Sequence, residues 1–303
     1  MAFTAKDVQN LREKTGCGMM DCKKALTEAN GDMDRAVELL REKGLAAQAK
    51  KATRIAAEGV VYTYVDEAKK VGVVIEVNAE TDFVAKNDSF QAFVASCAKV
   101  VAEQNPASVE ELLACKADEQ FTVEEALREK ILTIGENMKI RRFERYEGDV
   151  VTYVHGGGRI GVMVKFEADE AVSSNEGFKA MAKDVAMQIA AANPAYLNKE
   201  AVPADEIAKE KEILTQQAIN EGKPANIAEK MVMGRINKYY KEVCLLEQPF
   251  IKDGDITVGK YIENSAKEMG GAAKAVSFVR FEKGEGLEKR EDNFADEVAS
   301  MMK

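Results

Sequence analysis

The sequence predicts an α+β protein assembled from several units. Three observations carry that reading: helical spacing of apolar residues through the first fifty positions, a strand–turn–strand–helix pattern that occurs twice in the middle of the chain, and a charged pair of helices beginning near Pro203. With 303 residues the chain exceeds one typical domain, and a composition of 46% hydrophobic and 31% charged residues suits a protein with a sizeable core.

In the opening segment Thr4 is a candidate N-cap for a helix through Val8 and Leu11 that ends near Thr15-Gly16-Cys17-Gly18. Met19 to Ala29 carries Met20, Cys22, Ala25 and Leu26 at helical spacing, with Asn30-Gly31 as its stop. Asp32 opens a third helix striped by Met33, Ala36, Val37 and Leu40 and closed by Gly44. A three-helix unit this small buries little surface and reads as a binding module. The small, basic stretch 45–57 reads as a linker or an exposed helix, which sets a first unit over 1–55.

Residues 61–106 then recur at 150–194. Tyr64-Val65 matches Tyr153-Val154 and Gly72-Val73 matches Gly161-Val162; after a one-residue gap Phe90, Ala98 and Pro106 match Phe178, Ala186 and Pro194. In the first copy, strands Val60–Val65 and Val71–Val77 flank the turn Asp66–Lys70, and a helix follows with Phe90, Phe93, Val94, Cys97 and Val101 on one face. The second copy offers strands Val150–Val154 and Ile160–Phe166 around His155-Gly156-Gly157-Gly158-Arg159, then a helix from Gly177 to Ala192. Between them Ser108…Glu111 and Thr122…Glu125 both fit a capping box, and Ile140–Glu147 supplies a third strand. These elements place one core subdomain at 56–147 and a second at 148–200 joined by 244–285.

Past Pro203, the apolar positions Ile207, Leu214 and Ala218, the turn Gly222-Lys223-Pro224, and Ile227, Val232, Ile236, Tyr239 and Val243 describe two antiparallel helices. Their seams are narrow and their remaining faces charged, so residues 201–243 form a projecting helical hairpin suited to docking or self-association. A helix over Val258–Met269, a strand over Ala275–Phe281 and a short helix over Phe294–Met301 complete the chain, the last within a terminal module at 286–303.

Composition removes several function classes. No apolar run is long enough to span a membrane and the amino terminus lacks an apolar signal core, so the expected location is the cytoplasm, away from membranes. A net charge of -9 argues against wrapping DNA, although the basic stretch Lys50 to Arg54 keeps an RNA-binding or adaptor reading open. Five scattered cysteines show no C-x-x-C spacing, and a single histidine, His155, rules out a multi-histidine metal site; no cofactor or metal is expected. An enzyme would have to rest on Asp82 with His155, which fall in different repeats, or on dispersed carboxylates, so a non-enzyme is the expectation.

Features present in only one repeat are the candidates for specialised function. The first copy has Glu80-Thr81-Asp82-Phe83-Val84-Ala85-Lys86 where the second has Asp169-Glu170-Ala171-Val172-Ser173. Spacing alone favours Asp82 as an N-cap and Phe83 as a staple into the local core. The second copy's His155 and triple glycine lack the lysine and hydroxyl of a phosphate loop, and read as a flexible hairpin tip presenting an imidazole to a partner.

The chain resembles, from end to end, the bacterial translation elongation factor Ts family. The resemblance rests on Thr15-Gly16-Cys17-Gly18-Met19-Met20-Asp21-Cys22-Lys23-Lys24-Ala25-Leu26, on Thr81-Asp82-Phe83-Val84-Ala85-Lys86 and on His155-Gly156-Gly157-Gly158-Arg159-Ile160-Gly161-Val162. Gly222-Lys223-Pro224, Ile227-Ala228-Glu229-Lys230-Met231-Val232 and Arg280-Phe281-Glu282-Lys283-Gly284-Glu285-Gly286 agree as well. Cys17 stands where the family is expected to carry alanine. The resemblance implies a guanine-nucleotide exchange factor that binds GDP-bound and nucleotide-free elongation factor Tu, with a module similar to ubiquitin-associated domains, a two-part core, a coiled coil and a small terminal module. It also implies that Thr81, Asp82, Phe83 and Val84 enter the GTPase domain and dislodge its magnesium ion. Met19, Met20 and His155 become secondary contacts, and self-association falls to the helical hairpin. The reading that competes with this one is an RNA-binding or ubiquitin-associated-type adaptor without exchange activity.

Overall fold

The computed structural model describes residues 3–15, 17–222 and 225–288. Helices α1 (Ala5–Thr15), α2 (Met19–Glu28) and α3 (Met33–Lys51) come first and close on Leu11, Cys22, Ala25, Leu26, Ala36 and Leu40. Asp32 caps α3 by accepting from the N–H groups of Asp34 and Arg35, as its place before the apolar stripe requires. The expected stop at Gly44 is wrong: α3 runs on to Lys51, taking in half of the expected linker. A glycine inside a helix costs about 1 kcal/mol relative to alanine, and α3 carries that cost where it packs against a second helix, α7 (Val123–Ile134). A Cβ on Gly44 would lie 4.0 Å from the Arg128 carbonyl oxygen and from Leu132, an ordinary contact. Lys51 fastens the far end, its ammonium donating to the Ile131 carbonyl at 3.2 Å.

Next come β1 (Glu58–Asp66), β2 (Val71–Ala79), the single turn α4 (Asp82–Ala85), α5 (Asp88–Gln104), α6 (Val109–Ala114), α7 and β3 (Met138–Glu147). The strands form an antiparallel sheet in the order β1-β2-β3. The same plan returns as β4 (Asp149–His155), β5 (Ile160–Ala168), the single turn α8 (Glu170–Ser173) and α9 (Glu176–Ala192). Its third strand is delayed. Helices α10 (Ala204–Asn220) and α11 (Ala225–Val243), the small hairpin β6 (Pro249–Phe250) and β7 (Asp253–Thr257), and α12 (Val258–Glu268) intervene before β8 (Ala273–Glu282) completes the order β4-β5-β8.

The duplication reaches backbone detail. Asn87 and Asn175 cap the starts of α5 and α9, and Asn105 and Asn193 end them in the left-handed conformation at φ 49° and 46°. Each central strand shifts register at the matching place, Glu76/Val77 in one sheet and Lys165/Phe166 in the other. Each sheet packs one face on its own long helix, giving two cores centred on Phe90 with Ile75 and on Phe166 with Phe178. The opposite faces meet each other through Val61, Val74, Met163 and Phe281, so the layers run helix, sheet, sheet, helix. Since both faces of β2 are covered, its whole length is buried.

Of the two expected capping boxes only Thr122…Glu125 closes in both directions. Ser108 accepts from the Glu111 N–H, but the Glu111 carboxylate reaches past the cap to the Ala107 N–H at 2.8 Å. The pair α10 and α11 packs along Leu214, Val232 and Ile236 with Tyr240 beside them. Residues 223 and 224 of the expected hairpin turn, Gly16, and residues 289–303, which hold most of the expected terminal module and its helix, lie outside the described residues. Among the described residues no helix is long and apolar enough to cross a membrane.

Candidate functional site

The segment between β2 and α5 is built to hold one apolar ring in solvent. Thr81, with extended backbone, is the N-cap of α4, and its hydroxyl accepts from the Val84 N–H at 3.4 Å. Asp82 is therefore the first residue inside the turn and not its cap, contrary to the expectation from spacing. Val84 points into the first core at 6% exposure, whereas Phe83 is 79% exposed, which overturns the staple reading. On so short a turn, neighbouring side chains face different ways, and the β-branched residue takes the inward place.

Asp82 is exposed and pairs with Lys86 one helical turn on, at 2.7 Å. That hydrogen bond to Lys86 is the main cause holding the Asp82 carboxyl below its ordinary range, with the Lys86 and Lys283 charges adding to it. The carboxylate is thus ionised near neutrality.

Glu136 and Asn137, which the sequence reading did not single out, help to fix this turn. The Glu136 carboxylate accepts from the Thr81 N–H at 3.0 Å and from the Thr81 hydroxyl at 2.7 Å. In the reverse sense, the Glu80 carboxylate accepts from the Asn137 N–H at 2.5 Å and from Arg54 at 3.4 Å. Asn137 completes the knot by donating its amide to the Arg54 carbonyl at 2.8 Å. Three stretches distant in sequence, ending at α3, β2 and α7, converge on Thr81. Only a long-range pairing in the sequence could have disclosed this.

His155 lies exposed at the end of β4 and meets the Tyr153 hydroxyl at 3.0 Å through Nδ1. The glycine turn beyond it exposes Gly156 and Gly157 and is anchored at its far end. Gly158 is buried, and its carbonyl accepts from the Val61 N–H at 2.8 Å, which ties the turn across to the other sheet. Met19 and Met20 are exposed in the first turn of α2 and border a shallow groove with Phe3, Val8 and Lys23. Among the described residues no hydrogen bond or ion pair joins these positions directly to 81–84. Lys283 provides one indirect link toward the turn after His155: its charge reaches Asp82 and its N–H donates to the Arg159 carbonyl at 2.8 Å. Among the described residues, no cluster of three His, Cys, Asp or Glu could hold a metal ion.

The site therefore presents an exposed phenylalanine and an ionised aspartate on a braced turn. A family model described as Elongation factor TS matches residues 80–285. Elongation factor Ts of Clostridium perfringens (strain SM101 / Type A) is 58% identical over 302 residues, covering 99% of either chain. The protein of the same description from Clostridium botulinum (strain Eklund 17B / Type B) is 56% identical over 303 residues, again covering 99% of each. That of Clostridium kluyveri (strain NBRC 12016) is 54% identical over 301 residues, covering 98% of this chain and 97% of the relative.

Proposed function

The chain belongs to the elongation factor Ts family, the nucleotide exchange factors for elongation factor Tu in translation elongation, and from that premise we propose how its residues release GDP. Phe83 enters the GTPase beside the nucleotide, and the movement it forces there dislodges the magnesium ion that GDP shares with the protein. Asp82 brings a negative charge toward the phosphates and competes for donors that support the metal. The observation that carries this reading is that Phe83, at 79%, is the most exposed large apolar side chain among the described residues, although it stands on an ordered turn next to the buried Val84.

The energetics require more than that ring. Accelerated release means binding the emptied GTPase better than the filled one, and the coupling is reciprocal: GDP weakens the grip by the factor by which the grip weakens GDP. A shift of about ten-thousand-fold needs roughly 5.5 kcal/mol of differential affinity, whereas burying one phenylalanine contributes about 1.5 to 3 kcal/mol. Further contacts must share the task, and Met19, Met20 and His155 are assigned to them. Segments 1–55, 56–147, 148–200 with 244–285, 201–243 and 286–303 act in this proposal as separate grips on a partner that is GDP-bound at the start and nucleotide-free at the end. The helical hairpin at 201–243 serves docking or self-association.

Phe83→Ala tests the reading with elongation factor Tu loaded with a fluorescent GDP. Stimulated release should slow by about tenfold or more, while a complex with the emptied GTPase still forms. An unchanged release rate removes Phe83 from the mechanism.

A further inference from the structure

The two repeats provide an internal comparison at the turn that carries Phe83. In both, the turn after the second strand buries a valine, Val84 at 6% and Val172 at 0% exposure. In both, an acidic side chain at the end of that strand accepts from the residue preceding the third strand: Glu80 from the Asn137 N–H at 2.5 Å, Asp169 from the Ala272 N–H at 2.7 Å. The ladders agree, with Ala79 opposite Met138 and Ala168 opposite Ala273.

One residue further back the copies part. Glu136 precedes Asn137, whereas Gly271 precedes Ala272, and a Cβ on Gly271 would approach the Asp169 carboxylate and Val172 to 2.9 Å. The position that has no side chain in one repeat carries, in the other, a carboxylate taking two hydrogen bonds from Thr81. The residue before the buried valine differs in the same way: exposed Ala171 in the second copy, Phe83 in the first. The clasp and the ring therefore occur together, in the same repeat.

We propose that Glu136 is a positioning residue for nucleotide release, holding Thr81 so that the turn does not yield when Phe83 is pressed into the GTPase. The inference rests on the role assigned to Phe83 above. A four-residue turn anchored in the core by Val84, with only the half-buried Ala85 beside it, is easily bent, and a wedge on a compliant mount spends its binding energy on its own displacement. Hydrogen bonds to an ionised acceptor are roughly twice as strong as neutral ones, and a pair of them from one carboxylate fixes orientation as well as distance. Behind Glu136 stands α7, which packs against α3, so the load passes into the body of the protein.

The test is a double-mutant cycle on stimulated release of fluorescent GDP, in the full chain, with thermal melting of each variant. Glu136→Ala should lower the maximal release rate about five- to tenfold, the effect expected for losing charge-assisted hydrogen bonds. The concentration giving half-maximal stimulation should stay within about twofold, because the grips elsewhere are untouched. In a Phe83→Ala background the same change should add nothing, because Glu136 acts through that ring. Glu136→Gln retains an acceptor for the Thr81 N–H and should recover part of the rate; it also replaces the alanine variant in the cycle should that variant melt early. Equal slowing in both backgrounds, or none in the presence of Phe83, overturns the positioning role. A Phe83→Ala protein as fast as the parent overturns the wedge and the positioning role together, whereas a slow Phe83→Ala with a fast Glu136→Ala overturns the latter alone.

Discussion

Cys97 and Cys115 show how far position decides the chemistry of a single residue type. Cys97 is buried in the first core, and desolvation pushes its thiol up to about 12. Cys115 caps α6 and is the one cysteine of the five that is not buried, although burial around its sulfur and the Glu111 charge also raise its pKa. A thiolate is the reactive species. Mild alkylation of the folded protein at pH 8 should therefore label Cys115 first and Cys97 only after denaturation, as mass spectrometry of peptides would read. Labelling of Cys97 ahead of Cys115 would contradict the packing. The sign for stability follows from the same burial: the folded thiol keeps its proton while an unfolded one, with an ordinary value of 9.0, loses it. That contribution is whole below pH 9 and is lost as pH climbs toward 12. At this scale the sequence showed that the cysteines lack metal spacing, but not which thiol is open. Nor could it tell whether Phe83 or Val84 faces the core, since that depends on where the four-residue turn sits on the sheet.

The contact between the sheets is made by elements that duplicate each other. Val61 of β1 packs over Gly161 of β5, and Val150 of β4 over Gly72 of β2, with the same residue interval separating the valines and the glycines. A Cβ on Gly161 would stand 2.3 Å from Val61 Cγ1, and one on Gly72 would stand 2.5 Å from Val150 Cγ1. Neither glycine is needed for a turn; each provides room for a valine of the other sheet. Gly72→Ala and Gly161→Ala should each destabilise the fold by about 1 to 3 kcal/mol through overpacking, seen as a lower urea midpoint with little change in slope. A shift within error at both sites would mean that the sheets are not in this register. The match of Gly72-Val73 with Gly161-Val162 was legible in the self-comparison. Its purpose was not, because the partner valine lies in the other repeat. Gly44 gave the opposite error: read locally as a stop, it lies inside α3, where that helix packs on α7.

Over the whole molecule, a buried charge joins the end of the second sheet to the first. Glu76 is fully buried in the middle of β2 and would be costly there alone. It is met by Arg142 at 2.6 Å, Arg141 at 3.0 Å, Asn78 at 3.1 Å and the Gly284 N–H at 2.8 Å. Arg142 also lies over the Phe281 ring at 4.2 Å and donates to the Glu282 carbonyl at 3.2 Å. Gly284, at φ 68°, passes so close that a Cβ would fall 2.3 Å from the Ala57 carbonyl oxygen. Gly284→Val should therefore cost about 2 kcal/mol or more from backbone strain alone, and circular dichroism should show both sheets melting earlier. A variant as stable as the parent would show that this crossing is not tight.

Local pattern sufficed for the long helices up to their ends, for the six strands of the two three-stranded sheets, and for the duplication and the motifs of the family, because periodicity, caps and turn residues act within a few positions along the chain. The knot of Arg54, Glu80, Thr81, Glu136 and Asn137 at the candidate site and the charge lock around Glu76 between the sheets join residues far apart in sequence. Hydrogen bonds require atoms within about 3 Å, and only the stacking of the two sheets and the seating of α7 bring those atoms together.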